Sequence, residues 1–188
     1  MLKGERVRLR ALEPSDEQTV FEWHQDHEVH VLDGWIYPAT HRQIATQLQN
    51  ASEPQFGNAW FGIETEDATL IGVICLKRGR PEHRVADLGI LIGREHWDRG
   101  YGTDAVRTLL RFAFNEMNLH RVALGHVDDN DRADAVYLKC GFKVEGRARE
   151  DKWRYGRWHD TVLMGVLDSE FLALDATWDL QAQKVQKA

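Results

Sequence analysis

The segment Ile90 to Ala113, I-L-I-G-R-E-H-W-D-R-G-Y-G-T-D-A-V-R-T-L-L-R-F-A, constrains this chain more than any other. An apolar run of strand type stops at Gly93. A polar link then carries Trp97, Arg99, Gly100 and Gly102, and an amphipathic helix pattern starts near Tyr101. A strand, a glycine turn and a helix start suit an anion, because glycine lets backbone approach a ligand closely and the first helical N–H groups have no internal acceptor. The positive end of the helix dipole adds to this. A tight connection with no ligand would use the same residue types. Two phosphate motifs are excluded: no Gly, four residues, Gly-Lys-Ser/Thr string occurs, and Gly100-Tyr101-Gly102 is followed by Ala105 where a dinucleotide fingerprint needs a third glycine.

A second stretch downstream narrows the reading. Asn130 to Phe142 reads N-D-R-A-D-A-V-Y-L-K-C-G-F, a short helix closing on glycine before an apolar strand. Asn130, Tyr137 and Gly141-Phe142, following W-D-R-G-Y-G-T in this order, resemble the GNAT superfamily of acetyl-CoA-dependent N-acetyltransferases. The resemblance runs from Leu9 to Leu167 and is nearest to the ribosomal-protein and polyamine branches, where W-x-x-G-Y-G and a late G-x-x-x-D hairpin, here Gly156 to Asp160, also occur. It implies an α/β (α+β) fold: a mixed, mostly antiparallel sheet, splayed between its fourth and fifth strands to admit acetyl-CoA and flanked by helices. It also implies direct transfer of acetyl to a primary amine on a protein N-terminus or a polyamine-like molecule. Homodimers are common in these branches.

Size and composition agree with an enzyme of this kind. A chain of 188 residues fits one domain, with a core over about 5–167 and a helical extension over about 168–188, and a domain this long buries roughly 70% of its unfolded surface. Hydrophobic residues make up 43% and charged ones 29%, so neither disorder nor staples are expected. The N-terminus lacks a signal-peptide core and no apolar run reaches membrane length, which predicts a cytoplasmic protein without membrane contact. A net charge of -6 argues against a general nucleic-acid surface and leaves room for a basic substrate. The two cysteines, Cys75 and Cys140, show no metal or redox spacing and read as core or helix-end residues.

Taken in order, Glu5 to Leu12 alternates as a first strand, and Pro14 with Ser15 and Gln18 marks a helix start. Thr40 and Gln43 mark another, with Ile44, Leu48 and Ala51 on one face. Trp60 to Glu64, Thr69 to Lys77 and Val85 to Gly93 read as an antiparallel meander whose middle strand, apolar on both faces, is central. Val106, Leu109, Leu110, Ala113 and Met117 give a helix stripe. Strands follow at Arg121 to Val127, Phe142 to Gly146 and Thr161 to Leu167, with a hairpin around Tyr155 and Gly156.

The resemblance carries specific roles onto this sequence. Leu91 and Ile92 stand where a splayed strand offers unpaired backbone to the pantetheine arm. Arg99, Gly100, Tyr101, Gly102 and Thr103 stand in the pyrophosphate turn, Asn130 matches the family's asparagine, and Arg94 and Lys139 add charge near the adenosine phosphates. Trp97 replaces the Gln or Arg of many members. Tyr137 is the expected proton donor to the departing thiolate, a task suited to a phenol of pKa near 10. Asp87, on the same strand face as Gly89 and Leu91, is the expected base for the incoming ammonium, with His96 and the Glu28 region as alternatives. Trp35, Tyr37 and Trp153 are expected substrate contacts. Packing of the two loop rings, and solvation of Asp87, are the plain alternatives.

Three motifs are set aside. The H27-E-V-H histidines stand three apart, not four, and no metal is expected there. D128-D-N-D lacks the glycine and the final acid of a calcium loop, and Asp131 reads as a helix cap. W153-R-Y-G-R-W mixes aromatic and basic residues as an RNA-binding strand does, but a hairpin beside the acceptor cleft accounts for it better. The competing function is a binding module that holds acyl-CoA without transfer.

Overall fold

The computed structural model describes residues 1–32, 37–51 and 55–186, the side chains of residues 30, 31 and 179–186 excepted. Eight strands form one sheet: β1 (Leu2–Lys3), β2 (Val7–Arg10), β3 (Asn58–Thr65), β4 (Leu70–Arg80), β5 (Val85–Ile92), β6 (Arg121–Val127), β7 (Lys143–Arg154) and β8 (Arg157–Leu167). Their spatial order is β1-β2-β3-β4-β5-β6-β8-β7. Every neighbouring pair is antiparallel except β5 with β6. The helices are α1 (Glu17–Gln25), α2 (His27–Leu32), α3 (His41–Ala51), α4 (Tyr101–Arg111), α5 (Asp131–Lys139) and α6 (Asp168–Gln186).

Strand alternation sends side chains of the central strands into two cores. Val73 of β4 and Leu91 of β5 join Leu12, Val20, Trp23, Ile44 and Leu48 under α1 and α3. Ile74, Leu76 and Leu88 join Leu109, Leu110, Phe142, Met164 and Phe171 under α4 and α6. Burial on both faces makes β4 the continuous apolar run seen in the sequence, fully buried from Ile71 to Leu76. The start of α3 follows the expected capping box: Gln43 N–H donates to Thr40 Oγ1 at 3.2 Å and Thr40 N–H to Gln43 Oε1 at 2.8 Å. The start of α1 differs. Glu13 and Asp16 cap a single 3-10 turn at Pro14–Asp16, so the helix proper begins later than Ser15.

The first strand is shorter than its alternation suggests, because the chain turns at Gly4 to add β1 outside β2. The helix stripe ends early too: beyond Arg111 the backbone widens into a π-turn in which Met117 N–H reaches Phe112 O at 3.1 Å. The hairpin is much longer than the sequence indicates, since β7 and β8 pair from Lys143↔Gly165 to Arg154↔Arg157.

One buried carboxylate ties α4 to the sheet edge. Asp104, 9% exposed, accepts the N–H groups of Glu5, Arg6 and Val7 at 3.1, 2.8 and 3.0 Å. Gly4 must be glycine for this approach, as a Cβ there would lie 2.5 Å from Asp104 Oδ2. Asp104→Ala strands these donors and is expected to cost about 2–4 kcal/mol, measured by urea unfolding. A second buried acid sets acid sensitivity. Burial alone would raise the Asp16 carboxyl, but hydrogen bonds from Arg10 and the Glu13 N–H outweigh it and hold it below its ordinary 3.8. Its contribution is therefore complete above that value and lost as pH falls through the depressed one. The loss of stability between about pH 5 and about pH 3 is expected to shrink in Asp16→Asn, read as the shift in urea midpoint.

Candidate active site

The sheet opens between β5 and β6. They are in parallel register only at Val85↔Arg121, Ala86↔Val122 and Asp87↔Ala123. Beyond that point β6 keeps β8 as its partner through Val127↔Thr161, and β5 keeps β4 through Gly72↔Ile92. Gly93 N–H bonds Ile71 O at 2.9 Å, so this edge of the ladder faces β4. Backbone direction alternates along a strand, which turns Leu91 toward β4 and Ile90 and Ile92 into the opening. The sequence assigned the open backbone to Leu91 and Ile92. Strand parity instead pairs Ile90 with Ile92, while the Leu91 side chain lines the cleft and packs under α1.

The start of α4 stands beside this edge. Gly100 caps it with φ +80, a left-handed conformation that favours glycine. The first bond into the helix is Asp104 N–H to Gly100 O at 3.2 Å, which leaves the N–H groups of Tyr101, Gly102 and Thr103 without a helical acceptor. Trp97 props the turn on the strand, its Nε1–H donating to Ile92 O at 2.8 Å. Over its ring lies the guanidinium of Arg132, 4.2 Å from the centroid, and Arg132 Nε also donates to Asp98 at 3.1 Å. The polar residue that many family members carry at position 97 is thus replaced by a tryptophan with a cation from α5 stacked on it.

Opposite stands α5. Asn130, not Asp131, is its cap: Asn130 Oδ1 accepts Ala133 N–H at 3.1 Å, whereas Asp131 is already the first helical residue, past the cap position. Two turns on, the buried ring of Tyr137 sits 5.7 Å from the rings of both His126 and Phe142. His126 Nδ1 is 3.0 Å from Val127 O, which can only accept, so Nδ1 carries the proton, and Nε2 lies 3.5 Å from Asp134. At the helix end Cys140 is buried against Thr103 O, and burial pushes its thiol up to about 12, so it is not a nucleophile.

These parts enclose one cleft of about 870 Å³. Leu91, Ile92, Trp97, Arg99 and the run from Gly100 to Thr103 line it from one side, and Asn130, Tyr137 and Lys139 from the other. Four predicted residues are elsewhere. Asp87 Oδ2 is bound by Arg78 Nε at 2.8 Å, outside the cleft wall. Arg94 pairs with Glu28 at 3.3 Å on the α1–α2 side, which also engages the Glu28 alternative. Tyr37 is 79% exposed, and Trp153 packs edge-on against Trp158 with centroids 5.2 Å apart on the outer hairpin. Trp35 lies outside the described residues. His96 does line the cleft.

Sequence reasoning passed over Arg132, His126, Lys77 and Lys152, all in the cleft wall. Arg132 had a signal, being a cation in the first turn after Asn130. The other three read as ordinary strand residues, and only the opening of the sheet brings them to one cleft. Asp128, Asp129 and His159 bring ligand-type atoms within 4.8 Å of one another. Arg157 Nε donates to His159 Nε2 at 3.2 Å and His159 Nδ1 lies 3.2 Å from Asp129, which occupies both ring nitrogens. Arg147 stands 3.7 Å from Asp128. The cluster is an ion network that fastens the hairpin to the loop before α5.

A model of the GNAT acetyltransferase domain matches residues 6–143. The chain belongs to the GNAT acetyltransferase family. A Bacillus subtilis protein provisionally named as a ribosomal N-acetyltransferase, YdaF, is 30% identical, with 89% of this chain and 94% of that protein covered. The spermidine N(1)-acetyltransferase of Vibrio cholerae is 27% identical over 89% of this chain and 96% of its own. The solved Vibrio cholerae spermidine N-acetyltransferase with CoA and spermine superposes with a TM-score of 0.82 at 25% identity, covering 89% and 98% of the two chains. This GNAT protein is accordingly an enzyme, an acetyl-CoA-dependent N-acetyltransferase, and its eight-stranded mixed sheet is the fold of that family. Among the described residues no helix is long and apolar enough to cross a membrane.

Gly100→Ala forces a side chain into the left-handed region. It is expected to cost about 1–2 kcal/mol of stability and to weaken acetyl-CoA binding, both read from thermal melts with and without acetyl-CoA.

Proposed function

We propose that this N-acetyltransferase holds acetyl-CoA between α4 and α5 and that Tyr137 supplies the proton needed when acetyl moves to a primary amine. The observation that carries the reading is the meeting, in one cleft, of the open β5 edge, the free α4 N–H groups and the Tyr137 ring. The residues fit the co-substrate. Backbone N–H groups at 101–103 with Arg99, Arg132 and Lys139 match a pyrophosphate and its neighbouring phosphate. The edge at Ile90 and Ile92 matches an extended chain of amides, which would pair with it as another strand does.

Acetyl-CoA brings an activated acyl group as a thioester. The protein's part is to hold two reactants in line, to place backbone N–H where negative charge develops, and to hold a phenolic proton at Tyr137 Oη for the leaving sulfur. The acceptor comes from the face that carries α2 and the hairpin, since α4 and α5 fill the other. Val29 and Leu32 of α2 and Lys152 and Thr161 of the hairpin line the cleft there, and the Tyr155 ring at the hairpin tip meets His27 of α2 at 5.9 Å. With Asp87 committed to Arg78, no carboxylate from β5 serves as the base, and a neutral amine is drawn from the solvent equilibrium or delivered through water.

Tyr137→Phe is expected to lower kcat by about 10²-fold or more with acetyl-CoA affinity unchanged, measured as release of free CoA thiol with a saturating amine. Unchanged kcat would remove Tyr137 from the proton transfer.

A further inference from the structure

The charged side chains of the cleft wall fall into two groups. Arg99, Arg132 and Lys139 stand with the α4 and α5 termini, where phosphates account for them. Lys77 of β4 and Lys152 of β7 stand elsewhere, and no part of acetyl-CoA binding as read above uses them. Lys152 is held by Asp151 at 3.2 Å, and that carboxylate also accepts Thr161 Oγ1.

Lys77 is different. Among the described residues no carboxylate lies within ion-pair reach of it, and its register neighbour Asp87 is taken by Arg78. Its ammonium rests over Gly89, where a Cβ would come within 3.3 Å of Nζ. Gly89 directly precedes Ile90, the residue whose backbone opens into the gap. Lys77, Gly89 and Leu91 share one strand face by alternation and register, and it is the face from which the acceptor arrives. The carboxylates in the described cleft wall, Asp98 and Asp131, are both at the α4–α5 end, and Asp98 already pairs with Arg132.

We propose that the acceptor is a primary amine bearing a carboxylate a few bonds from its nitrogen, and that Lys77 receives that carboxylate. This deepens the acetyltransferase reading and rests on it. A polyamine keeps further ammonium groups after one nitrogen is deprotonated, and they meet a lysine with no acid in the described wall to offset it. An amino acid, or a peptide N-terminus followed by acidic residues, brings the missing counter-charge and orients its nitrogen toward the gap. Like charges opposed at a site reject a ligand more strongly than neutral surface does. The spermidine specificity named for relatives thus does not carry over to this chain.

The test is CoA-thiol release by wild type, Lys77→Met and Lys77→Glu with four acceptors: a free amino acid, the same residue as its amide, a short peptide with acidic second and third residues, and spermidine. Wild type is expected to favour the carboxylated acceptors over amide and spermidine by about tenfold or more in kcat/KM. Lys77→Met should erase that preference and Lys77→Glu reverse it toward spermidine, with KM for acetyl-CoA unmoved in both. Preference for the free amino acid over the peptide, or the converse, identifies the source of the carboxylate. Spermidine or the amide matching the carboxylated acceptors in wild type, or a preference that survives in Lys77→Met, overturns the inference and leaves the enzymatic reading intact. Release with none of the four, while acetyl-CoA still raises the melting temperature, overturns the carboxylate inference alone; no release and no such rise overturns the proposed acetyl-CoA site as well.

Discussion

β5 and β6 stay in register for three residue pairs and then separate, and the working parts of the molecule depend on that separation. Backbone inside a sheet is ordinarily paired, because an unpaired N–H or C=O away from water costs about as much as a lost hydrogen bond. Here the backbone of Ile90 and the N–H of Ile92 face a cleft, while the Ile92 carbonyl is taken by Trp97. The gap stays open because each strand is fully engaged on its other side, β5 by β4 and β6 by β8. The start of α4 flanks it on one side and α5 lines it along its length on the other.

The surroundings hold that geometry rigidly. Asp104 ties α4 to the β1–β2 turn through three N–H groups, so the glycine turn before it has a firm base. Trp97 braces the turn on Ile92, and Arg132 stacked on Trp97 connects α5 to the same point. On the far side His159 and three arginines, with Asp128 and Asp129, fix the long hairpin against the loop that carries Asn130. The cleft is therefore built between two anchored walls, and Lys77 lines it with no carboxylate among the described residues within ion-pair reach.

Much of this was legible in the chain itself. The strand, glycine turn and helix of 90–113, the central apolar strand, the Thr40 cap and Tyr137 on a short helix all follow from local periodicity and residue type. Where the structure differs, the reason is a contact or a strand pairing that local periodicity does not show. Asp87 looked like a free strand carboxylate until the bulged end of β4 brought Arg78 to it. Arg94 looked like a phosphate cation but meets Glu28 of α2. Trp153 looked like a cleft residue, yet alternation along β7 turns it to the face opposite Lys152, where it meets Trp158. Asn130, which matches the family's asparagine, caps its own helix.

By itself the sequence determined the main strands and helices, the Thr40 cap and the glycine turn before α4, because these depend on neighbours within a few residues along the chain. Only the tertiary structure decided which β5 residues turn their backbone away from β4, which charges are paired and which side chains line the cleft. Those outcomes depend on strand register and on contacts between segments tens of residues apart, and a one-residue shift in register would exchange the two faces of β5.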